Sequence, residues 1–145
     1  MNTQVIECPH CGRKNRIPAV ADGVPRCGNC RQPLPWVTDA DDDDFSDVAE
    51  RARPLVLVDM WATWCGPCRQ VSPALERVAT DLAGKVKLVK VDVDAAPSLA
   101  RRFSVQAVPT LMLMREGQVV GRRAGAAPAS VLRGWVDQTL QSTAS

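Results

Sequence analysis

The sequence contains no tyrosine, only two phenylalanines and a single histidine, His10. Apart from four tryptophans there are few rings to bury, so the core of this 145-residue chain must be aliphatic, with four methionines filling irregular gaps. His10 lies between two closely spaced cysteines, where it reads as a solvated turn residue rather than a ligand or general base. Neither sign of charge is in excess: 18 Lys and Arg oppose 16 Asp and Glu, and a net +2 predicts no strong pull toward nucleic acid or a membrane surface. No apolar run approaches the ~20 residues needed to cross a bilayer. The opening segment, Met1 to Glu7, has neither the basic region nor the apolar stretch of a secretory signal, so a cytoplasmic location is expected. A glycine-rich dinucleotide fingerprint is also missing. No bound organic cofactor is expected, and any redox reaction must take its electrons from another protein.

What the chain does have is six cysteines, arranged as three C-x-x-C pairs. Structural disulfides are disfavoured in the cytoplasm, so these residues need metal or redox roles. Cys8-Pro-His-Cys11 and Cys27-Gly-Asn-Cys30 are separated by fifteen residues, a spacing that predicts one Zn²⁺ held by four thiolates. Each pair forms a tight turn that aims two sulfurs at one metal. Gly12 and Gly28 can relax those turns, and Gly23-Val-Pro25 lets the segment double back as a short ribbon. Residues 1–37 are thus expected to form a small zinc unit and residues 38–145 the main domain. A segment this short seldom folds unaided, so the metal should supply most of its folding free energy and the unit should be separable from the rest.

Two other readings of the first segment are weaker. As a tetrapeptide Cys8-Pro-His-Cys11 resembles the active site of oxidising periplasmic thiol oxidoreductases, but no strand pattern precedes it and Pro18 interrupts any helix after it. A nucleic-acid ribbon would use Arg13, Lys14, Arg16, Arg26 and Arg31. Against Glu7 and Asp22 these give +3, and zinc with four thiolates lowers that to about +1, with no aromatic ring for base stacking before Trp36.

The third pair lies in different surroundings. Pro54 to Trp61 is a nearly continuous apolar run, as expected of a central strand covered on both faces, and only Asp59 breaks it. After Trp64-Cys65-Gly66-Pro67-Cys68, the residues Cys68, Val71, Leu75, Val78, Ala79 and Leu82 recur at helical spacing, with Pro73 inside the pattern. This puts Cys65 at the first turn of a helix and Cys68 one turn further in. Helix N–H groups and the dipole favour a thiolate at Cys65, the species that attacks disulfides. The positions predict an exposed nucleophile at Cys65 and a buried resolving thiol at Cys68. Asp59 would be costly in a buried strand without a task or partner, and burial should raise its pKa.

The rest of the chain reads in order. Leu34 to Thr38 is an edge strand, and Asp39 to Asp44 opens a short helix carrying Phe45, Val48, Ala49 and Ala52; a calcium loop is excluded because its closing Glu is missing. Val86–Asp92 is a strand, Pro97–Phe103 a short helix, and Leu111–Met114 and Val119–Arg123 a hairpin turning at Arg115 to Gln118. Pro128–Leu140 closes the chain as a helix, with residues 141–145 frayed.

The run Val58-Asp-Met-Trp-Ala-Thr-Trp-Cys-Gly-Pro-Cys68, with Val108-Pro109-Thr110, resembles the active-site segments of the thioredoxin family. The likeness covers about residues 34–141. With the cysteine unit and its Asn15-Arg-Ile-Pro18 included, the chain resembles the zinc-binding second type of bacterial thioredoxin. The resemblance implies the α/β thioredoxin fold, a central mixed β-sheet flanked by helices, with a small N-terminal zinc ribbon. It implies protein-disulfide reduction by Cys65 and Cys68, with Asp59 as the buried acid beneath the dithiol and Lys90 as its neighbour. It also implies a cis Val108–Pro109 bond and a client-binding surface of Trp64, Gly66, Pro67, Val108, Pro109 and Gly125. Implied partners are an NADPH-dependent thioredoxin reductase and disulfide-bearing client proteins, with no nucleic acid or membrane, the chain itself acting as a monomer. Met60 and Met114 replace phenylalanines frequent in the family, Gln106-Ala107 lacks its glycine, and Thr63 replaces an acidic residue or proline. A second function stays open: a zinc-gated redox sensor or holdase in which oxidation of Cys8, Cys11, Cys27 and Cys30 expels the metal.

Overall fold

Two sheets organise the chain in a computed structural model that describes residues 3–21 and 23–143. The smaller is an antiparallel ribbon of β1 (Thr3–Glu7) and β2 (Lys14–Pro18). The larger has five strands: β3 (Trp36–Asp39), β4 (Leu55–Trp61), β5 (Val86–Asp92), β6 (Thr110–Arg115) and β7 (Gln118–Ala124). Their spatial order is β3-β5-β4-β6-β7, with β3, β5 and β4 parallel and β6 and β7 antiparallel. The helices are α1 (Gly66–Asp81), α2 (Pro97–Arg102) and α3 (Ala129–Thr143). This is the mixed, helix-flanked sheet that the family resemblance implies. Among the described residues, no helix is long and apolar enough to cross a membrane.

The apolar run explains why β4 sits at the centre. Leu55 to Met60 are all buried, because the strand is paired on both edges and covered on both faces. The two-residue period then sorts side chains between two cores. Leu55 and Leu57 join Leu88, Leu111 and Leu113 against Val71, Leu75 and Val78 of α1 and Leu132 and Val136 of α3. Val56, Val58 and Met60 face the other way, toward Val89, Val91, Met112, Met114, Phe45 and Leu99. Asp59 therefore points to the α1 side, as does Lys90, its register partner on β5.

Several boundaries shift for physical reasons. The edge strand begins at Trp36, after Pro33 and Pro35, and crosses the expected junction at residues 37 and 38. The acidic run does not open a regular helix. Asp41 accepts the N–H groups of Asp43 and Asp44, while Asp42 accepts those of Ser98 and Leu99 at the start of α2. Only one wide π-type turn, Ser46–Glu50, follows. The hairpin reverses through Glu116 and Gly117 with φ of 52° and 78°, the twist that a tight β-turn between twisted strands requires. Helix α1 continues through Pro73. Helix α3 runs to Thr143, and of the segment expected to fray, residues 144 and 145 lie outside the described residues.

The cysteine-rich segment packs against the main sheet. Trp36 packs with Cys8, Ile17, Cys27 and Leu34, and its indole N–H donates to the Pro18 carbonyl at 2.9 Å. Opposite it on β5, Lys87 is buried with its ammonium 4.0 Å from the Trp36 ring centroid. Lys87 Nζ donates to the carbonyls of Ala19 and Val48, so one side chain joins the N-terminal segment, the sheet and the π-type turn. Burial pulls the pKa of this lysine down to about 8.

Candidate active site and cysteine cluster

Strand β4 delivers the chain to Trp61, and a short turn through Ala62, Thr63 and Trp64 leads into α1. Cys65 is the residue that caps this helix. Its backbone is extended (φ −89°, ψ 111°) and its sulfur accepts the Cys68 N–H at 3.2 Å, satisfying one of the first-turn donors. Pro67 lies within the first turn, where a missing N–H costs nothing. One turn of helix brings Cys68 back over Cys65, and the two sulfurs are joined as a disulfide. Cys68 is buried as expected, but the expectation of an exposed Cys65 is corrected: each is only 3% exposed. In the disulfide both sulfurs are drawn against Ala62 and packed by Trp61, Val93 and Val108. The asymmetry lies instead in polar surroundings, because Cys65 Sγ alone occupies the helix N-terminus and lies 3.6 Å from the Val108 carbonyl oxygen.

The Val108–Pro109 bond is cis. Gly125 donates its N–H to the Pro109 carbonyl at 2.9 Å and has φ 91°, a conformation that favours glycine; a Cβ there would have open space around it, so the backbone conformation is what asks for glycine. Around the disulfide, Trp64, Gly66, Pro67 and Gly125 are exposed, Val108 is half-buried and Pro109 is buried. Trp64 is 69% exposed, yet its indole N–H donates to Asp94 at 2.9 Å, which fixes the ring as a flat apolar face beside the sulfurs.

Beneath the disulfide lies a cavity of about 270 Å³ lined by Asp39, Asp59, Trp61, Ala62, Thr63, Cys68, Arg69, Ser72 and Lys90. Asp59 is 1% exposed, and among the described residues no protein group hydrogen-bonds its Oδ1 or the Trp61 indole nitrogen. Burial raises the Asp59 pKa from 3.8 to about 6; Lys90 opposes the rise and Glu76 adds to it. Lys90, although in register with Asp59, donates to Ser72 Oγ at 2.8 Å and to Glu76 Oε1 at 2.9 Å.

The other four cysteines converge. Their sulfurs all lie within 4.8 Å of one another, with Cys8–Cys30 at 3.6 Å and Cys11–Cys27 at 3.5 Å. Four thiolates about 2.3 Å from one tetrahedral Zn²⁺ stand about 3.8 Å apart, so the donor set fits that metal in type, number and spacing. The two pairs are built alike. Gly12 N–H bonds the Cys8 carbonyl at 2.9 Å and Arg31 N–H bonds that of Cys27 at 3.0 Å. The left-handed residue follows each pair, Gly12 at φ 79° and Arg31 at φ 69°, so the turn expected to relax at Gly28 relaxes at Arg31. The Cys30 N–H, helped by donors on Asn29 and Asn15, lowers the Cys27 thiol to about 5, while against the Gln32 N–H, burial and the neighbouring sulfurs raise the Cys30 thiol to about 11, so the protein alone favours a thiolate at Cys27 but not at Cys30. His10 is exposed and outside the cluster.

Sequence reasoning missed four residues of the dithiol region. Ser72 and Glu76 continue the four-residue helical line from Cys68, a signal that could have found them. Asp39 and Asp94 carried none, since β3–β5 pairing and the turn after β5 bring them in.

Comparison with known proteins agrees with this geometry. The family model described as Thioredoxin matches residues 36–138. Thioredoxin C-3 of Corynebacterium nephridii is 38% identical over 141 residues, spanning 94% of this chain and 96% of its own. Such coverage must take in most of the cysteine-rich N-terminal segment. Thioredoxin C-2 of the same organism is 40% identical over 105 residues, 72% of this chain and 96% of its own. A thioredoxin of Mycobacterium bovis is 49% identical over 98 residues, 67% of this chain and 82% of its own.

Proposed function

Because this chain belongs to the thioredoxin family of thiol–disulfide oxidoreductases, we propose that it reduces client-protein disulfides by cycling Cys65 and Cys68 between dithiol and disulfide. The Cys65 thiolate attacks one client sulfur. A Cys65–client bond forms, the client disulfide breaks, and the leaving client thiolate takes a proton from solvent. Cys68 passes its proton to Asp59 across the cavity, through water, and its thiolate attacks Cys65 Sγ. The mixed disulfide breaks and the second client thiolate leaves. Two electrons have moved to the client, and Cys65 and Cys68 end as the disulfide. An acid with a pKa of about 6 is matched to accepting a thiol proton near neutrality.

The observation that carries this reading is the stack itself: a disulfide at a helix N-terminus, a backbone carbonyl beside Cys65, and a buried carboxyl lining the cavity under Cys68. Trp64, Gly66, Pro67, Val108, Pro109 and Gly125 form or support the face that receives a client, whose extended backbone would pair at Val108. Reducing equivalents come from an NADPH-dependent thioredoxin reductase, and the protein works in the cytoplasm. Cys8, Cys11, Cys27 and Cys30 hold one Zn²⁺, which cross-links the N-terminal segment. We favour a structural role over a sensor or holdase role because Cys8, Cys27 and half-buried Cys30 pack with Ile17, Leu34 and Trp36, while Cys11 is the exposed ligand of the four. The test is trapping. Cys68→Ser should accumulate mixed disulfides through Cys65, with the client face intact, and Cys65→Ser should accumulate none; the reverse pattern would exchange the two roles.

A further inference from the structure

Lys90 has a choice of three carboxylates. On the sheet face toward α1, parallel pairing sets Asp39 of β3 and Asp59 of β4 on either side of Lys90, each in register with it. Side chains in register on neighbouring strands stand about 4.5–5.5 Å apart at Cβ, well within the reach of a lysine. Yet the ammonium leaves the row. It rises to α1 and donates to Ser72 Oγ at 2.8 Å and Glu76 Oε1 at 2.9 Å. Asp39 is engaged by Gln4 Nε2 at 3.3 Å, while Asp59 Oδ1 keeps no protein hydrogen bond among the described residues.

We propose that Glu76 and Ser72 are positioning residues: they hold Lys90 on α1, away from Asp59, and so set the proton affinity of the buried acid. This rests on the reading of Asp59 as the group that exchanges the Cys68 proton. The remaining surroundings of Asp59 leave the choice to this clamp. Arg69, also lining the cavity, is held outward by the Thr63 carbonyl at 3.2 Å. Strand β6 faces Asp59 with Leu111, which is apolar, and α1 otherwise contributes Cys68. Asp39 is the other acid lining the cavity, and its carboxylate accepts from Gln4. Lys90 is the cation able to neutralise Asp59, and its location decides how strongly it does so. Glu76 acts twice, as an anion whose field favours the protonated acid and as the anchor that keeps the ammonium from pairing with it. The arrangement gives half-exposed Glu76, a weak contributor to stability in a surface pair, a role at the site.

The test is a double-mutant cycle in the full-length oxidised protein, reading the Asp59 titration midpoint from its carboxyl carbon by NMR. Glu76→Gln should lower the midpoint by roughly 1 pH unit, a tenfold loss of proton affinity, as the released Lys90 comes within ~4–6 Å of Asp59. In a Lys90→Met background the same change should lower it by less than half as much. Ser72→Ala, which removes one of two anchors, should give a smaller downward shift in the presence of Lys90. No shift on Glu76→Gln overturns the proposal, and so does an equal shift in both backgrounds, which would mean that Glu76 acts by its field alone. The rate of mixed-disulfide resolution against pH is the companion measurement. If the NMR midpoint moves as stated and the rate profile follows, both readings stand. If the midpoint moves and the profile does not, the clamp stands and proton transfer through Asp59 falls.

Discussion

Replacing Asp59 with asparagine should make the protein more stable at neutral pH, and by an amount that depends on pH. The carboxyl has a pKa of about 6 in the folded chain against an ordinary 3.8, a rise of about 2 units caused first by burial. At 1.36 kcal/mol per unit, ionising Asp59 in the folded state costs about 3 kcal/mol. The sign follows from proton binding: between the two values the folded state holds more protons than the unfolded one. The stabilising contribution is therefore complete below about pH 4 and is lost as pH rises through about 6. Asparagine has similar size and no titration. Urea unfolding of the two oxidised proteins from pH 3.5 to pH 8 should show near-equal stability at the acid end. The variant's advantage should open to about 3 kcal/mol by pH 7.5, or roughly 6–12 °C in Tm. Titrating groups that do not interact with Asp59 cancel in the difference, and Lys90 and Glu76 are the neighbours that do interact with it. A gap that is constant with pH, or one that opens in the opposite direction, would refute the claim that Asp59 is held with a raised pKa by desolvation.

Two further perturbations address the N-terminal segment. Lys87→Ala removes both hydrogen bonds to Ala19 and Val48 and the contact with Trp36, leaving a cavity and two buried carbonyls; a loss of roughly 2–5 kcal/mol is expected, with faster amide exchange in β1 and β2, and unchanged exchange there would show that this lysine does not attach the segment. Metal removal should unfold residues 3–33 and loosen β3 through Trp36 while most disulfide turnover survives, because the sulfurs of the active site pack in a different cluster from those of the metal unit. Zinc content other than one per chain, or turnover lost in step with zinc, would overturn that assignment.

The architecture was legible where the controlling interactions are short in range. The apolar run at Leu55 to Met60 announces a central strand, the four-residue stripe after Cys68 announces α1, and the cysteine spacing announces a four-sulfur cluster. Each is a periodicity or turn that neighbouring residues enforce. The acidic run was misread because its partner, the start of α2, lies more than fifty residues away and competes for Asp42.

Local pattern was thus enough for the central strand, for α1, for the helix-end location of Cys65, the one-turn offset of Cys68 and the burial of Asp59. What surrounds these residues came from long-range contacts. Strand register placed Lys90 between two acids, α1 drew its ammonium to Glu76, and β5 put Lys87 under Trp36. The exposure of Cys65 was likewise settled by packing, through Ala62, Trp61, Val93 and Val108. The physical reason is that desolvation and Coulomb interaction depend on which groups are near in space, and that nearness is set by how strands pair and helices pack, which no local pattern records.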